Sequence, residues 1–453
     1  MGKNNIEKWS PGYELLRTFT KIWHNLFYYR RIHVLGKENI PENEQFILAT
    51  SHQNALMDAM AVLLKIKKQP VFLARSDIFR KKMIARILYF IKILPIYRIR
   101  DGYAELKKND EIFLKTMDVL ENKSVLAILP EGSHAPLRKV RPLKKGIARI
   151  AFQSAEKQNF SKDIKIVPVG LEYSNYTKWQ QELIIKFGKP ISLSKYYNLY
   201  RENPSKATLE LVRELREEIK KQMIHIEDDE HYDLYNDLRM LFRQPITQAQ
   251  HLNPRDQEQQ LKAQQNFISL LEKYLNNHEE KAREMQKNLN AYKQILDRHN
   301  IPNRFIDQPL LNIPGFLWRA LAFLLLSPIF LYGFINNILP YKISSILANK
   351  VRDITFHSSF KFVISLLLFP VLHLLETGIF YLFVHQPWYT LAYFISLPLT
   401  GLFTFRYYVL FSDFWFRRKY AKLTRRKHPD MERLRDLHNY FIHLSGQVLS
   451  GEK

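Results

Sequence analysis

Apolar residues are spread unevenly along this chain, and that unevenness limits its possible folds more than any average does. Between Pro314 and Phe411 the sequence is far richer in Leu, Phe and Ile than anything before it. Three apolar segments stand out, Phe316 to Leu339, Phe362 to Val384, and Trp388 to about Phe405. The second and third are long enough to span a bilayer, and His385-Gln386-Pro387 between them makes a hairpin turn. That turn has no Lys or Arg. Lys342, Lys350, Arg352 and Lys361 precede the hairpin, and Arg417, Arg418, Lys419, Lys422, Arg425, Arg426 and Lys427 follow it, which places both hairpin ends in the cytoplasm. The first segment has Arg319 near one end and Pro328 in the middle. A single crossing there would strand either the preceding domain or the basic loop on the wrong side, so a re-entrant or interfacial element is expected.

Whole-chain averages hide this region, since mean hydropathy is -0.28. The formal net charge is +24, with 68 Lys and Arg, which favours a polyanionic partner, either nucleic acid or the anionic face of a membrane. The membrane-length segments decide for membrane lipids and against nucleic acid. Cys is absent, which excludes disulfides, thiolate nucleophiles and Cys-ligated zinc. The polar start, Met1 to Ser10, has no apolar core of signal-peptide type, and its Met-Gly lacks the Ser or Thr of a myristoylation site, so the bulk of the chain is expected to stay in the cytoplasm.

At 453 residues the chain has room for a sizeable α/β domain and further elements. From Tyr13 to Phe27, Leu15, Leu16, Phe19, Ile22, Trp23, Leu26 and Phe27 recur at helical spacing among basic residues, an amphipathic helix suited either to a membrane interface or to packing on the domain. Short apolar runs then read as buried strands: Phe46 to Ala49, Val71 to Ala74, Val125 to Leu129 and Ile164 to Val169. Segments of helical period lie between them, including one after Ser76-Asp77 that carries Ile78 to Ile91 and ends at Pro95. The alternation predicts an α/β sheet flanked by helices. From about Asn203 to His299 the pattern becomes polar, Gln- and Glu-rich helix.

The first strand leads into Thr50-Ser51-His52-Gln53-Asn54-Ala55-Leu56-Met57-Asp58, a His and a carboxylate just past a strand end, where open α/β sheets build their sites. On an unbroken helix residues six apart lie roughly 120° from each other, so the two meet only if His52 sits in the turn before the helix, with Asn54 as its cap. If they meet, Asp58 fixes the tautomer of His52, as a general base requires. The plainer alternative is a capping His and a solvated Asp. A second cluster, Leu129-Pro130-Glu131-Gly132-Ser133, again follows a strand, and Arg138, Lys139, Arg141, Lys144, Lys145 and Gly146 come after it. Carboxylate, flexible Gly and cations gather where a phosphate can be held. Between the clusters, Pro95-Ile96-Tyr97-Arg98-Ile99-Arg100 adds two arginines, although each cation taken singly is more often a solvated surface charge.

The order of His52 to Asp58, Pro95 to Arg98, Leu129 to Gly132 and Val167-Pro168-Val169 resembles the four blocks of the glycerol-phosphate and lysophosphatidate acyltransferase family, over roughly residues 30 to 225. The resemblance implies that His52 deprotonates the acceptor hydroxyl, Asp58 orients it, and Arg98, with Arg100 nearby, holds the acceptor phosphate. Glu131 and Gly132 match the third block, with Ser133 beside them as a further substrate-binding candidate, and Lys144 with Gly146 its basic continuation. Two departures stand out. Five residues separate His52 from Asp58 where the family usually has four, which tilts the acceptor toward glycerol 3-phosphate. Ser133 and His134 stand where Thr and Arg are usual, so the phosphate role of that Arg passes to Arg138 or Arg141, or is lost.

The implied reaction is direct transfer of a fatty acyl group from acyl-CoA or acyl carrier protein to glycerol 3-phosphate or its monoacyl product, with no cofactor or metal. No Cys and no Gly-x-Ser-x-Gly elbow is present to form an acyl-enzyme. Another lysophospholipid or an amino-acid lipid is an alternative acceptor, and a non-enzymatic membrane scaffold is an alternative role. The expected organisation is an N-terminal helix at 1–30, the acyltransferase domain at 31–225, a helical arm at 226–310, a membrane region at 311–411 and a basic cytoplasmic tail at 412–453. Two further groupings are recorded. The run His225 to His231 has metal-binding residue types at no recognised spacing, and His373 with Glu376 forms an i, i+3 pair inside an apolar segment.

Overall fold

The computed structural model describes residues 5–98, 106–276, 278–309 and 313–451. By packing, the chain divides into two units, Met1–His225 with Leu347–Val363, and Ile226–Ile346 with Ile364–Lys453.

The first unit is built on a mixed eight-stranded sheet in the order β1-β7-β6-β2-β5-β3-β4, with β8 off this path on β6. The strands are β1 (Tyr29–Leu35), β2 (Gln45–Thr50), β3 (Val71–Arg75), β4 (Ile93–Ile96), β5 (Val125–Ile128), β6 (Ile164–Tyr173), β7 (Gln181–Phe187) and β8 (Ile191–Ser192). β2 is central and parallel to both neighbours, with Leu48 opposite Ala127 on β5 and Val167 on β6. Phe46, Ile47, Leu48 and Ala49 are all buried, because a parallel strand covered on both faces keeps apolar residues at every position.

All four expected strands are present. β4 was hidden in the sequence by Pro95, which was expected only to end a helix. That helix, α3 (Lys82–Phe90), stops earlier, and Pro95 lies in the edge strand, paired through β3 alone, where a missing N–H costs least. Before the sheet, α1 (Pro11–Ile22) begins at Ser10, whose hydroxyl caps Tyr13 N–H, and passes into a π-helical turn over Trp23–Tyr28. Tyr13, Thr20 and Trp23 are buried, while Leu15, Phe19, Ile22 and Leu26 on the other side are exposed. The remaining helices of this unit are α2 (Leu56–Leu63), α4 (Lys108–Glu121), α5 (Gly146–Lys157), α6 (Tyr197–Glu202) and α7 (Pro204–Lys220). On α7, Ala207, Leu211, Leu215 and Ile219 recur every four residues and are fully buried.

The second unit is helical: α8 (Tyr232–Leu241), α9 (Arg243–Ala249), α10 (Gln257–Asn276), α11 (Glu279–His299), α12 (Ile313–Asn349), α13 (His357–Val384), α14 (Pro387–Arg425) and α15 (Pro429–Ser450), with α12 and α13 each giving a few residues to the first unit. The arm does not stand alone. Tyr292 on α11 bonds His438 on α15 (2.9 Å), and Phe242 stacks near Phe441, so the expected tail is a packed helix.

Among the described residues, three helices are long and apolar enough to cross a membrane. The first, expected as a re-entrant or interfacial element, forms helix α12, which runs unbroken for 37 residues through Pro328 and Pro340. Proline survives inside such helices because neighbouring side chains and helices take up the carbonyls it frees. α12 packs closely on α14. A Cβ on Gly333 would lie 2.5 Å from the Thr400 carbonyl, and one on Gly401 would lie 2.6 Å from Asn337 Oδ1. Small residues at such contacts let two backbones approach. His373 turns to Asn337 Oδ1 (3.1 Å) on α12, in place of the expected partner Glu376.

Replacing Gly333 by Leu is expected to lower the thermal stability of the detergent-solubilised protein by about 1–3 kcal/mol through overpacking. Gly378→Leu, where nothing lies within 4 Å of the new Cβ, should change little. Equal melting shifts in the two variants would contradict the packing described.

Candidate active site

β2, β5, β3 and β4 are mutually parallel, so their carboxyl ends share one edge of the sheet, where His52, Glu131, Asp77 and Arg98 follow them. The central exit is tied to β6 by Ser51 N–H, which donates to the Val169 carbonyl (3.0 Å). The chain then kinks. Ala55, at φ 45° and ψ -123°, precedes α2 in a region that non-glycine residues seldom occupy. That kink absorbs the six-residue step and lets the first turn of α2 face back on His52.

Asp58 is fully buried and is the hub of the turn. Its Oδ2 accepts from His52 Nδ1 (2.9 Å), Gln53 N–H (2.7 Å) and Asn54 N–H (2.7 Å), and its Oδ1 accepts the Tyr173 hydroxyl (2.8 Å). Backbone N–H groups only donate, so Oδ2 acts as an acceptor, and His52 must carry its proton on Nδ1. Nε2 is then left with the free lone pair that a base uses. Asn54 does not cap α2. Its side chain donates to the Tyr176 carbonyl (3.2 Å), and Asp58 itself holds the turn's amides. Tyr173, which sequence reasoning missed, has its pKa raised well above the ordinary value, first by burial and then by Asp58, so it stays a donor.

A second carboxylate braces the turn from outside. Glu131 Oε1 accepts His52 N–H (2.8 Å), and Oε2 pairs with Arg141 Nε (2.8 Å). Burial raises the Glu131 pKa, and the His52 amide and the Arg141 cation oppose that rise. Arg141 also donates through Nη1 to Ser133 Oγ (2.9 Å) and through Nη2 to the Ser133 and His52 carbonyls. Gly132, at φ +71°, supplies the left-handed turn between Glu131 and Ser133, and the Lys144 stem lies against it. Lys144 is exposed, and its N–H donates to the Pro130 carbonyl (2.7 Å).

The other expected cations fall elsewhere. Arg138 is buried, its Nε on Glu172 (2.7 Å), its Nη2 on the Tyr173 carbonyl (2.7 Å), and its guanidinium over the Tyr176 ring. A cation so engaged is held on β6 beside Tyr173, whose hydroxyl meets Asp58. Arg98 stands 3.9 Å from Asp77, and on sheet spacing alone it is about 14 Å from the β2 exit, three strands away. Arg100 lies outside the described residues.

His225 of the acidic run accepts the Val140 N–H (3.0 Å), and His231 pairs with Asp228 (3.0 Å). Among the described residues the grouping with metal-ligand geometry is a different one in the second unit. His299, His428 and Asp430 offer ligand atoms within 4.8 Å of one another, although His299 (2.7 Å) and Arg298 (3.1 Å) already satisfy the Asp430 carboxylate.

Residues 31–172 match the profile of the family described as Acyltransferase. Glycerol-3-phosphate O-acyltransferase 2 of Saccharomyces cerevisiae (strain ATCC 204508 / S288c) is 29% identical over 114 residues, 25% of this chain and 15% of that protein. Glycerol-3-phosphate O-acyltransferase 1 of the same yeast is 23% identical over 220 residues, 46% of this chain and 27% of that protein. The matches therefore span well under two thirds of either relative's length. The crystal structure of the 1-acyl-sn-glycerophosphate (LPA) acyltransferase PlsC from Thermotoga maritima is 21% identical, covering 46% of this chain and 79% of that chain at a TM-score of 0.32.

Truncating Arg138 is expected to cost stability rather than acceptor affinity. Arg138→Met strands a buried carboxylate and should destabilise the fold by about 3–5 kcal/mol, with the acceptor KM of the surviving protein unchanged. A variant that melts like the parent but shows a raised KM would return Arg138 to the acceptor pocket.

Proposed function

We propose that residues 31–172, which match the Acyltransferase family profile, form the catalytic domain, and that this chain transfers a fatty acyl group from a thioester carrier to a hydroxyl of glycerol 3-phosphate or 1-acylglycerol 3-phosphate. The observation that carries the reading is the 2.9 Å contact of His52 Nδ1 with the buried Asp58. The acceptor hydroxyl gives its proton to His52 Nε2 as its oxygen attacks the thioester carbonyl. The tetrahedral oxyanion collapses with cleavage of the carbon–sulfur bond, and the His52 imidazolium, stabilised by Asp58, returns the proton to the leaving thiolate. Atoms balance with no acyl-enzyme.

The carrier is acyl-CoA or acyl carrier protein, and no cofactor is needed. The names of the two yeast relatives support a glycerol phosphate acceptor. We assign the acceptor phosphate to the cationic rim of Lys144 and the remaining guanidinium N–H of Arg141, with Glu131, Gly132 and Ser133 shaping the turn behind it. Three helices of membrane-spanning length among the described residues support a place in the membrane. We place its catalytic unit at the cytoplasmic face, because Lys350, Arg352 and Lys361 lie in the 347–363 segment that belongs to that unit. A non-enzymatic scaffold would give the motif residues no reason to meet.

Detergent-purified protein given a labelled acyl thioester should acylate glycerol 3-phosphate or 1-acylglycerol 3-phosphate, and His52→Ala should lower the rate by about 100-fold or more. No transfer to either acceptor by folded protein would redirect the assignment to another lysophospholipid or an amino-acid lipid.

A further inference from the structure

His134 follows Ser133 at the position where the resembled family commonly has Arg, and the structure turns it against the catalytic histidine. The two imidazole rings meet edge to face, with centroids 5.1 Å apart. On another side His134 packs on Phe356, with centroids 4.8 Å apart, and its Nε2 lies 2.8 Å from Thr355 Oγ1. Both partners come from the segment joining α12 to α13, which belongs to the same unit as His52.

Hydrogen-bond accounting fixes the tautomer of this ring. Asp353 Oδ1 accepts from the Thr355 hydroxyl (2.6 Å) and from its backbone N–H (2.9 Å), and these bonds hold the Asp353 carboxyl below its ordinary pKa. An ionised carboxylate only accepts, so the single hydroxyl proton of Thr355 points to Asp353. Thr355 Oγ1 then meets His134 as an acceptor, and His134 carries its proton on Nε2. Burial, and after it the neighbouring His52, lower the His134 pKa and favour the neutral ring. Nδ1 is left with a lone pair and has no hydrogen-bond partner among the described residues. A neutral acceptor of this kind cannot replace an arginine on a phosphate, but it suits a hydroxyl.

We infer that His134 reads the second hydroxyl of a diol acceptor: while the reacting hydroxyl is deprotonated by His52 Nε2, the hydroxyl on the neighbouring carbon donates a hydrogen bond to His134 Nδ1. The inference rests on the acyl-transfer reading above and deepens it. On this reading the two imidazoles, with centroids 5.1 Å apart, serve two oxygens on adjacent carbons, each bond needing a reach of about 2.6–3.2 Å. Glycerol 3-phosphate has both hydroxyls. A monoacyl glycerol phosphate spends its one free hydroxyl on the reaction and leaves Nδ1 unmet. His134 is thus a specificity residue, and Asp353 and Thr355 are positioning residues that act through it. A site built to bond a hydroxyl rejects an analogue lacking it, because its polar group is left unpaired.

The test compares kcat/KM for glycerol 3-phosphate and for 3-hydroxypropyl phosphate, which keeps the primary hydroxyl and the phosphate but lacks the middle hydroxyl. The full-length detergent-solubilised protein, His134→Ala and Thr355→Val are assayed with one acyl donor. The parent should favour glycerol 3-phosphate by about tenfold or more, the worth of one well-placed hydrogen bond, and both variants should bring the ratio close to one. Thr355→Val keeps the side-chain shape and decides the matter if His134→Ala fails to fold. A parent ratio near one, or a ratio that both variants leave intact, overturns the inference while leaving acyl transfer standing. A parent that acylates neither phosphate but does acylate 1-acylglycerol 3-phosphate overturns the inference alone, and one that acylates none of the three overturns the proposed acceptor reading as well.

Discussion

A carboxylate without access to solvent is costly unless donors surround it, and the catalytic unit is organised around meeting that requirement at Asp58. Four donors converge on it, the amides of Gln53 and Asn54, the Tyr173 hydroxyl and His52 Nδ1. The two amides hold the turn that carries His52 out of β2, the tyrosine fixes that turn against β6, and the imidazole bond sets which nitrogen faces the reactants. Removing the charge would therefore undo the backbone turn and the histidine tautomer together.

A second layer encloses the first. Glu131 takes the His52 amide and hands its other oxygen to Arg141, which returns to the His52 carbonyl, so the loop after β5 clasps the turn after β2. Arg138 holds Glu172 and the Tyr173 carbonyl on the opposite side. Most of the cationic charge near the site is thus spent on building it. On the proposed reading the groups left to meet substrate are few, namely the Nε2 edge of His52, the ring of His134, one N–H of Arg141 and the exposed Lys144.

Much of this was legible in the amino-acid sequence, and the limits have physical causes. β2, β3, β5 and β6 show as continuous apolar runs because buried parallel strands tolerate little else. β1 and β7 are shorter of such signal, and β4 is masked by a proline that only an edge strand accepts. His52 and Asp58 were readable because both lie in one turn, though the Ala55 kink that joins them is a backbone feature no side chain announces. Tyr173 and Thr355 were not readable, since they reach the site from 115 residues beyond Asp58 and 221 residues beyond His134. The burial of Arg138 was hidden for a related reason: an arginine in a basic run looks solvated until its partner Glu172 is known. Pro328 suggested a break in the first apolar segment, whereas a membrane-length helix passes straight through it.

The central claim is that His52 and Asp58 activate the acceptor for direct transfer, and it is tested most directly by mixing the protein with a labelled acyl thioester while withholding the acceptor, then adding glycerol 3-phosphate in a single turnover. Direct transfer predicts no label on the protein and no thiol release before the acceptor arrives, followed by thiol and acylated product forming in step. Thiol released in a burst, with label retained on the protein, would contradict the account.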